Sequence, residues 1–161
     1  MKTRSIIIFM LLFSTASASF AQSDWFDKFS DNKDITQVTI TKTLLNMIPG
    51  VTGTMNMNGI NVKDIMTKLD QIDIFTSDKK ATMGMMRKEM TAFFKSNKSY
   101  EILMKVKDES DHVTFYGQKD GEIIKSLVML AEGDEEYVII RLMGKFTAQD
   151  IQNITKSERK K

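Results

Sequence analysis

The chain has 161 residues, 42% of them hydrophobic and 27% charged, with no cysteine, one histidine and a formal charge of +2. Such a composition describes one ordinary globular domain and excludes a disordered polymer, a disulfide scaffold, a thiolate metal site and a cysteine nucleophile. A charge this small and dispersed is not the concentrated basic face of a nucleic-acid binder.

Lys2 and Arg4 precede an apolar run from Ile6 to Phe13 and a small-residue stretch from Ser14 to Ala21. This is the three-part layout of a signal peptide. Ser19 and Ala21 are the small side chains a peptidase accepts, so cleavage is expected between Ala21 and Gln22. The apolar run is shorter than the roughly 18 residues of a membrane span, and no second run of that length follows. A soluble mature protein outside the cytoplasm is therefore expected. Losing Lys2 and Arg4 brings the 23 basic side chains level with the 21 acidic ones. The chain thus divides into a signal peptide (1–21), a single α+β domain (22–155) and a polar, basic-ended tail (156–161).

In the mature part, Ser23 and Asp24 predict a short helix carrying Trp25, Phe26 and Phe29. Trp25 and Phe29 share a face that would pin the terminus to the body. Ile35 to Thr41 alternates Val38 and Ile40 with Gln37 and Thr39, as a half-buried strand does. Leu44, Leu45, Met47 and Ile48 form a short helix stopped by Pro49-Gly50. Residues 50–59 read as a glycine-rich loop, and Asn61 as the cap of a short helix reaching Leu69. Ile72 to Thr76 is the second strand.

Ser77 is placed to cap the longest helix, in which Met83, Met86, Met90, Phe93 and Phe94 recur at steps of three and four. Asn97 marks its end, and Gly84 inside it predicts a close backbone approach. Four strands then follow as a meander: Tyr100 to Lys107, Val113 to Tyr116, Ile123 to Leu130 and Tyr137 to Met143. Asp120-Gly121 signals a tight hairpin between the second and third of these. The last two are continuous enough in apolar residues to read as central strands covered on both sides. Thr147, with Asp150 three residues on, opens a final helix. The sum is an α+β fold: one mixed, largely antiparallel sheet of about six strands, helices packed on it, and a C-terminal four-strand meander followed by a helix.

No catalytic, cofactor or metal constellation emerges. His112 is the only histidine and reads as a surface residue at a strand start. No nucleophile elbow or phosphate loop occurs. Asp70 with Asp73, and Glu135 with Glu136, read as solvated acids. Methionine is frequent, at 13 residues. Met83, Met85, Met86 and Met90, or Met55 and Met57, could supply soft ligands for Cu(I), whereas the stripe of Met83, Met86 and Met90 fits core filling. Met55, Asn56, Met57 and Asn58 form the candidate interaction loop.

Several stretches resemble an exported Bacteroidetes family catalogued as domain of unknown function 4252 (DUF4252). They are Val38-Thr39-Ile40-Thr41-Lys42, Met47-Ile48-Pro49-Gly50, Asn61-Val62-Lys63-Asp64-Ile65 and Ile74-Phe75-Thr76-Ser77, with Val113-Thr114-Phe115-Tyr116, Gly144-Lys145-Phe146-Thr147 and Asp150-Ile151. The resemblance supplies no catalytic residue. It implies a Gram-negative periplasmic or envelope setting and a link to envelope signalling. The expected function is a non-enzymatic envelope module, without cofactor, that binds another protein through its sheet face or the 50–59 loop. The alternative is a small apolar-ligand binder, holding a lipid-like molecule between helix and sheet near Met55 and Met57. Strand order and oligomeric state are not readable.

Overall fold

Strands dominate because β-branched and aromatic residues alternate with polar ones over most of the chain. The computed structural model describes residues 25–47, 56–57, 60–61, 66–108 and 112–150. The signal peptide, Ser23, Asp24, Pro49, Gly50, Met55, Asn58 and the tail lie outside these residues. In chain order the elements are α1 (Asp27–Ser30), β1 (Thr36–Thr41), α2 (Lys42–Met47), β2 (Asn56–Met57), β3 (Ile60–Asn61), β4 (Leu69–Ser77), α3 (Lys80–Ser96), β5 (Tyr100–Lys107), β6 (His112–Asp120), β7 (Ile123–Glu132) and β8 (Tyr137–Phe146).

Six strands form one open sheet in the order β1-β4-β8-β7-β6-β5, and every neighbouring pair is antiparallel. The fold is α+β, as the segregation of the long helix from the meander predicts. Helix α3 carries the chain from β4 to β5 at the opposite edge. The meander then returns strand by strand until β8 pairs with β4.

One face of the sheet takes the helices. Met83, Met86, Met90 and Phe93 of α3 pack with Phe26 and Phe29 on Phe75, Val128, Leu130, Tyr137 and Ile139. The 3–4 spacing of the α3 residues is what aims them all at the sheet. Phe26 lies 5.8 Å from Phe75 and 5.3 Å from Phe93 between ring centroids, so the N-terminal aromatics are part of the core. On the other face, Leu45 of α2 closes one end with Leu69, Ile124 and Phe146.

Several local expectations are corrected. Strand β1 is an edge strand whose side chains are mostly exposed, because only β4 pairs with it among the described residues. Part of the 50–59 loop is a ribbon, since Asn56 and Met57 pair with Asn61 and Ile60. Asn61 ends β3, and residues 62–65, on which the expected cap and helix start rest, lie outside the described residues. Leu69 opens β4 because it pairs with Gly144 of β8. Ser77 ends β4 rather than capping α3: its hydroxyl donates to the Asp34 carbonyl at 2.7 Å and accepts from the Lys79 N–H. Gly84 faces open space, with nothing within 4 Å of where a Cβ would stand. At the β6–β7 hairpin Asp120 pairs with Ile123, which makes Gly121 and Glu122 the two loop residues. Gly121 takes the first position with φ of 63°, where a side chain would be strained.

Candidate functional site

Side chains on neighbouring strands line up in rows across a sheet, and those one residue apart along a strand face opposite ways. Phe75, Ile139, Val128 and Leu130 face the helices. The residues between them form rows on the other face, and two adjacent rows run across all six strands. The first is Val38, Ile74, Ile140, Met129, Phe115 and Met104; the second is Thr36, Thr76, Val138, Ala131, Val113 and Val106. None of these side chains is charged and none is buried. This corrects the expectation that the two central strands are covered on both sides: Val138, Ile140 and Met129 remain half-exposed, because α1 and α3 both serve the opposite face.

The second row runs into a depression of about 630 Å³ at the β7–β8 turn. Val113, Ala131 and Val138 give it an apolar floor, and Glu132, Asp134, Glu135 and Glu136 an acidic wall. Glu132 is engaged by Arg87 at 2.8 Å, and Glu136 accepts from the Thr76 hydroxyl. Asp134 and Glu135 are exposed and enter no ion pair among the described residues. The site is chemically simple: a broad apolar surface with a negative rim, suited to binding a surface of complementary shape and charge.

The other candidates from the sequence fall elsewhere. Asn56 and Met57 lie in the β2–β3 ribbon, while Met55 and Asn58 are outside the described residues. Met83, Met86 and Met90 are buried in the aromatic core and Met85 packs against it. His112 is half-buried, opposite Glu132 in the register. Between helix and sheet, Phe26, Phe29, Phe75 and Phe93 fill the space with aromatic contacts. Burial pushes the phenol of Tyr137 up from its ordinary pKa, with the Glu132 carboxylate adding to it. Tyr116, stacked on Phe94, is raised for the same two reasons in the same order.

One buried polar pair escaped the sequence reading. Asp73, placed among solvated acids, is 2% exposed and holds Arg141 through Nε at 3.0 Å and Nη2 at 2.7 Å. Thr39 and Gln71 donate to the same carboxylate, and the guanidinium lies 4.3 Å over the Phe26 ring. The available signal was one arginine within the apolar run of β8 and one aspartate between Ile72 and Ile74. With both partners in place and stacked under an aromatic ring, the pair is a structural knot on the helix face.

Among the described residues no helix is long and apolar enough to cross a membrane, and no group of three or more histidine, aspartate or glutamate side chains is placed to hold a metal ion. No curated protein and no solved structure matched the chain. The family described as Domain of unknown function (DUF4252) matches residues 29–154, from Phe29 at the start of the core past the Thr147 cap, and the chain belongs to it.

Proposed function

We propose that the chain is an exported cell-envelope protein, delivered to a Gram-negative periplasm by its N-terminal leader, that binds another protein through the open face of its sheet. The observation that carries this reading is the pair of uncharged rows spanning all six strands with every side chain at least partly exposed. Contiguous apolar surface of this kind is costly to leave in water and marks interaction sites on soluble proteins. The acidic rim at the β7–β8 turn favours a partner whose apolar contact is flanked by lysine or arginine. Binding, rather than chemistry, is the work proposed for it.

The test uses the mature chain from Gln22 as bait in envelope extracts, beside Phe115→Lys and Met129→Lys variants whose folding is checked by circular dichroism. A partner held by the parent chain and lost from both variants supports the face. Identical partners on all three baits refute it. Protein recovered from the periplasm with Gln22 as its first residue supports export, and recovery only from the cytosol with Met1 retained removes it.

A further inference from the structure

The two edges of the sheet are built differently. Strand β5 carries Glu101, Lys105 and Lys107 and is broken by a bulge between Ile102 and Met104. Charges and bulges are the devices that keep an edge from pairing with another chain. Strand β1 has neither. Thr36-Gln37-Val38-Thr39-Ile40-Thr41 holds no charge, no proline and no glycine, pairs with β4 in unbroken register, and is exposed along nearly its whole length. Its free side presents backbone donors and acceptors for which no strand partner exists among the described residues.

We infer that β1 is a docking edge for a second copy of the chain, the two β1 strands pairing antiparallel about a two-fold axis at Val38. The register follows from chemistry. Keeping the apolar face continuous requires Val38 and Ile40 to meet even-numbered residues of the second copy, since a slip of one residue reverses every side chain. With Val38 on the axis, Ile40 faces the partner's Thr36 and Gln37 faces the partner's Thr39, so the pairs are apolar or neutral polar throughout. Just beyond the strand ends, the same two-fold brings Asp34, in the turn before β1, to the side of the partner's Lys42, the first residue of α2, twice by symmetry. Moving the axis one residue either way and keeping the faces matched loses that opposition. Asp34 is exposed and enters no ion pair among the described residues. Lys42 is exposed too, and among the described residues its ammonium pairs with Asp70, at 2.6 Å. A closed two-fold contact of this kind also uses up the edge and leaves no free one to propagate aggregation, since β5 is already blunted.

The mature chain lacks cysteine, so a single introduced thiol reports the contact. Val38 and Val106 sit on opposite edges and are similarly exposed, at 44% and 47%. V38C is expected to form a covalent dimer on mild oxidation, through its own copy on the axis, and V106C is not. Sedimentation of the cysteine-free mature chain over a concentration series is expected to show monomer passing to dimer. D34K should weaken that dimer at least about tenfold by setting like charges together, and D34K combined with K42D should restore it. A chain that stays monomeric at every concentration, or V106C linking as readily as V38C, overturns the inference. Either result leaves the open face untouched, because that reading is tested by partner capture on Phe115 and Met129 variants.

Discussion

Asp73 and Arg141 lie 68 residues apart in sequence and share one sealed site, where the carboxylate takes two hydrogen bonds from the guanidinium and others from Thr39 and Gln71. Breaking such a pair from one side leaves a buried charge with no counterion, at a cost of about 3–5 kcal/mol. Asp73→Asn is therefore expected to lower the urea midpoint by that equivalent. Joint replacement by apolar residues, Asp73→Leu with Arg141→Met, is expected to recover most of the loss. A loss below about 1 kcal/mol in the single Asp73→Asn variant would show that the pair is not sealed from water. Gly84 offers the opposite case. It sits mid-helix, exposed, with open space where a side chain would go. Gly84→Ala is expected to stabilise the fold by about 0.5–1 kcal/mol, read in the same urea titration.

At the scale of elements, Thr147 and Asp150 close a reciprocal cap. The Asp150 carboxylate accepts from the Thr147 N–H at 2.7 Å and its hydroxyl at 2.8 Å, while Thr147 Oγ1 accepts from the Asp150 N–H. Lys68 adds its ammonium at 2.6 Å and, through its carbonyl, holds the Lys145 N–H. Burial works against the Asp150 carboxylate, but Lys68 and the Thr147 donors outweigh it and hold its pKa below the ordinary value. A lowered pKa means that the unfolded chain takes up the proton first as pH falls. The contribution to stability is then complete above the ordinary aspartate value near 3.9 and is lost as pH drops below it through the folded value. Asp150→Asn is expected to flatten that acid limb in thermal melts, and Thr147→Ala to cost about 1 kcal/mol at neutral pH. This cap was legible in the sequence because it spans four residues. The meander was legible because alternation is local too. The edge position of β1 and the length of β4 were not, since both depend on pairing with residues far along the chain, as Leu69 does with Gly144.

On the scale of the whole molecule, the central strand β8 carries apolar side chains on both sides of the sheet, and the two sides differ in what covers them. Tyr137 and Ile139 are sealed under α1 and α3, while Val138 and Ile140, which alternate with them, stay partly exposed. Periodicity could not separate these pairs, because an uninterrupted apolar run reads the same whether one side or both are covered. The open face became visible only with the strand order. It divides the sheet into a side sealed under α1 and α3 and a side left partly exposed along two rows, and that division can be measured. Phe29 is fully enclosed, 5.4 Å from Phe75 between centroids, so Phe29→Ala is expected to cost about 3–5 kcal/mol. Met129→Lys is expected to cost less than about 1 kcal/mol, because the side chain is already partly in water and the lysine stem can lie along the same surface. A dye that fluoresces on exposed apolar surface should bind the parent chain and lose most of its signal on Met129→Lys. Should Met129→Lys prove as damaging as Phe29→Ala in the urea titration, the face is closed in solution and the binding surface must be sought elsewhere.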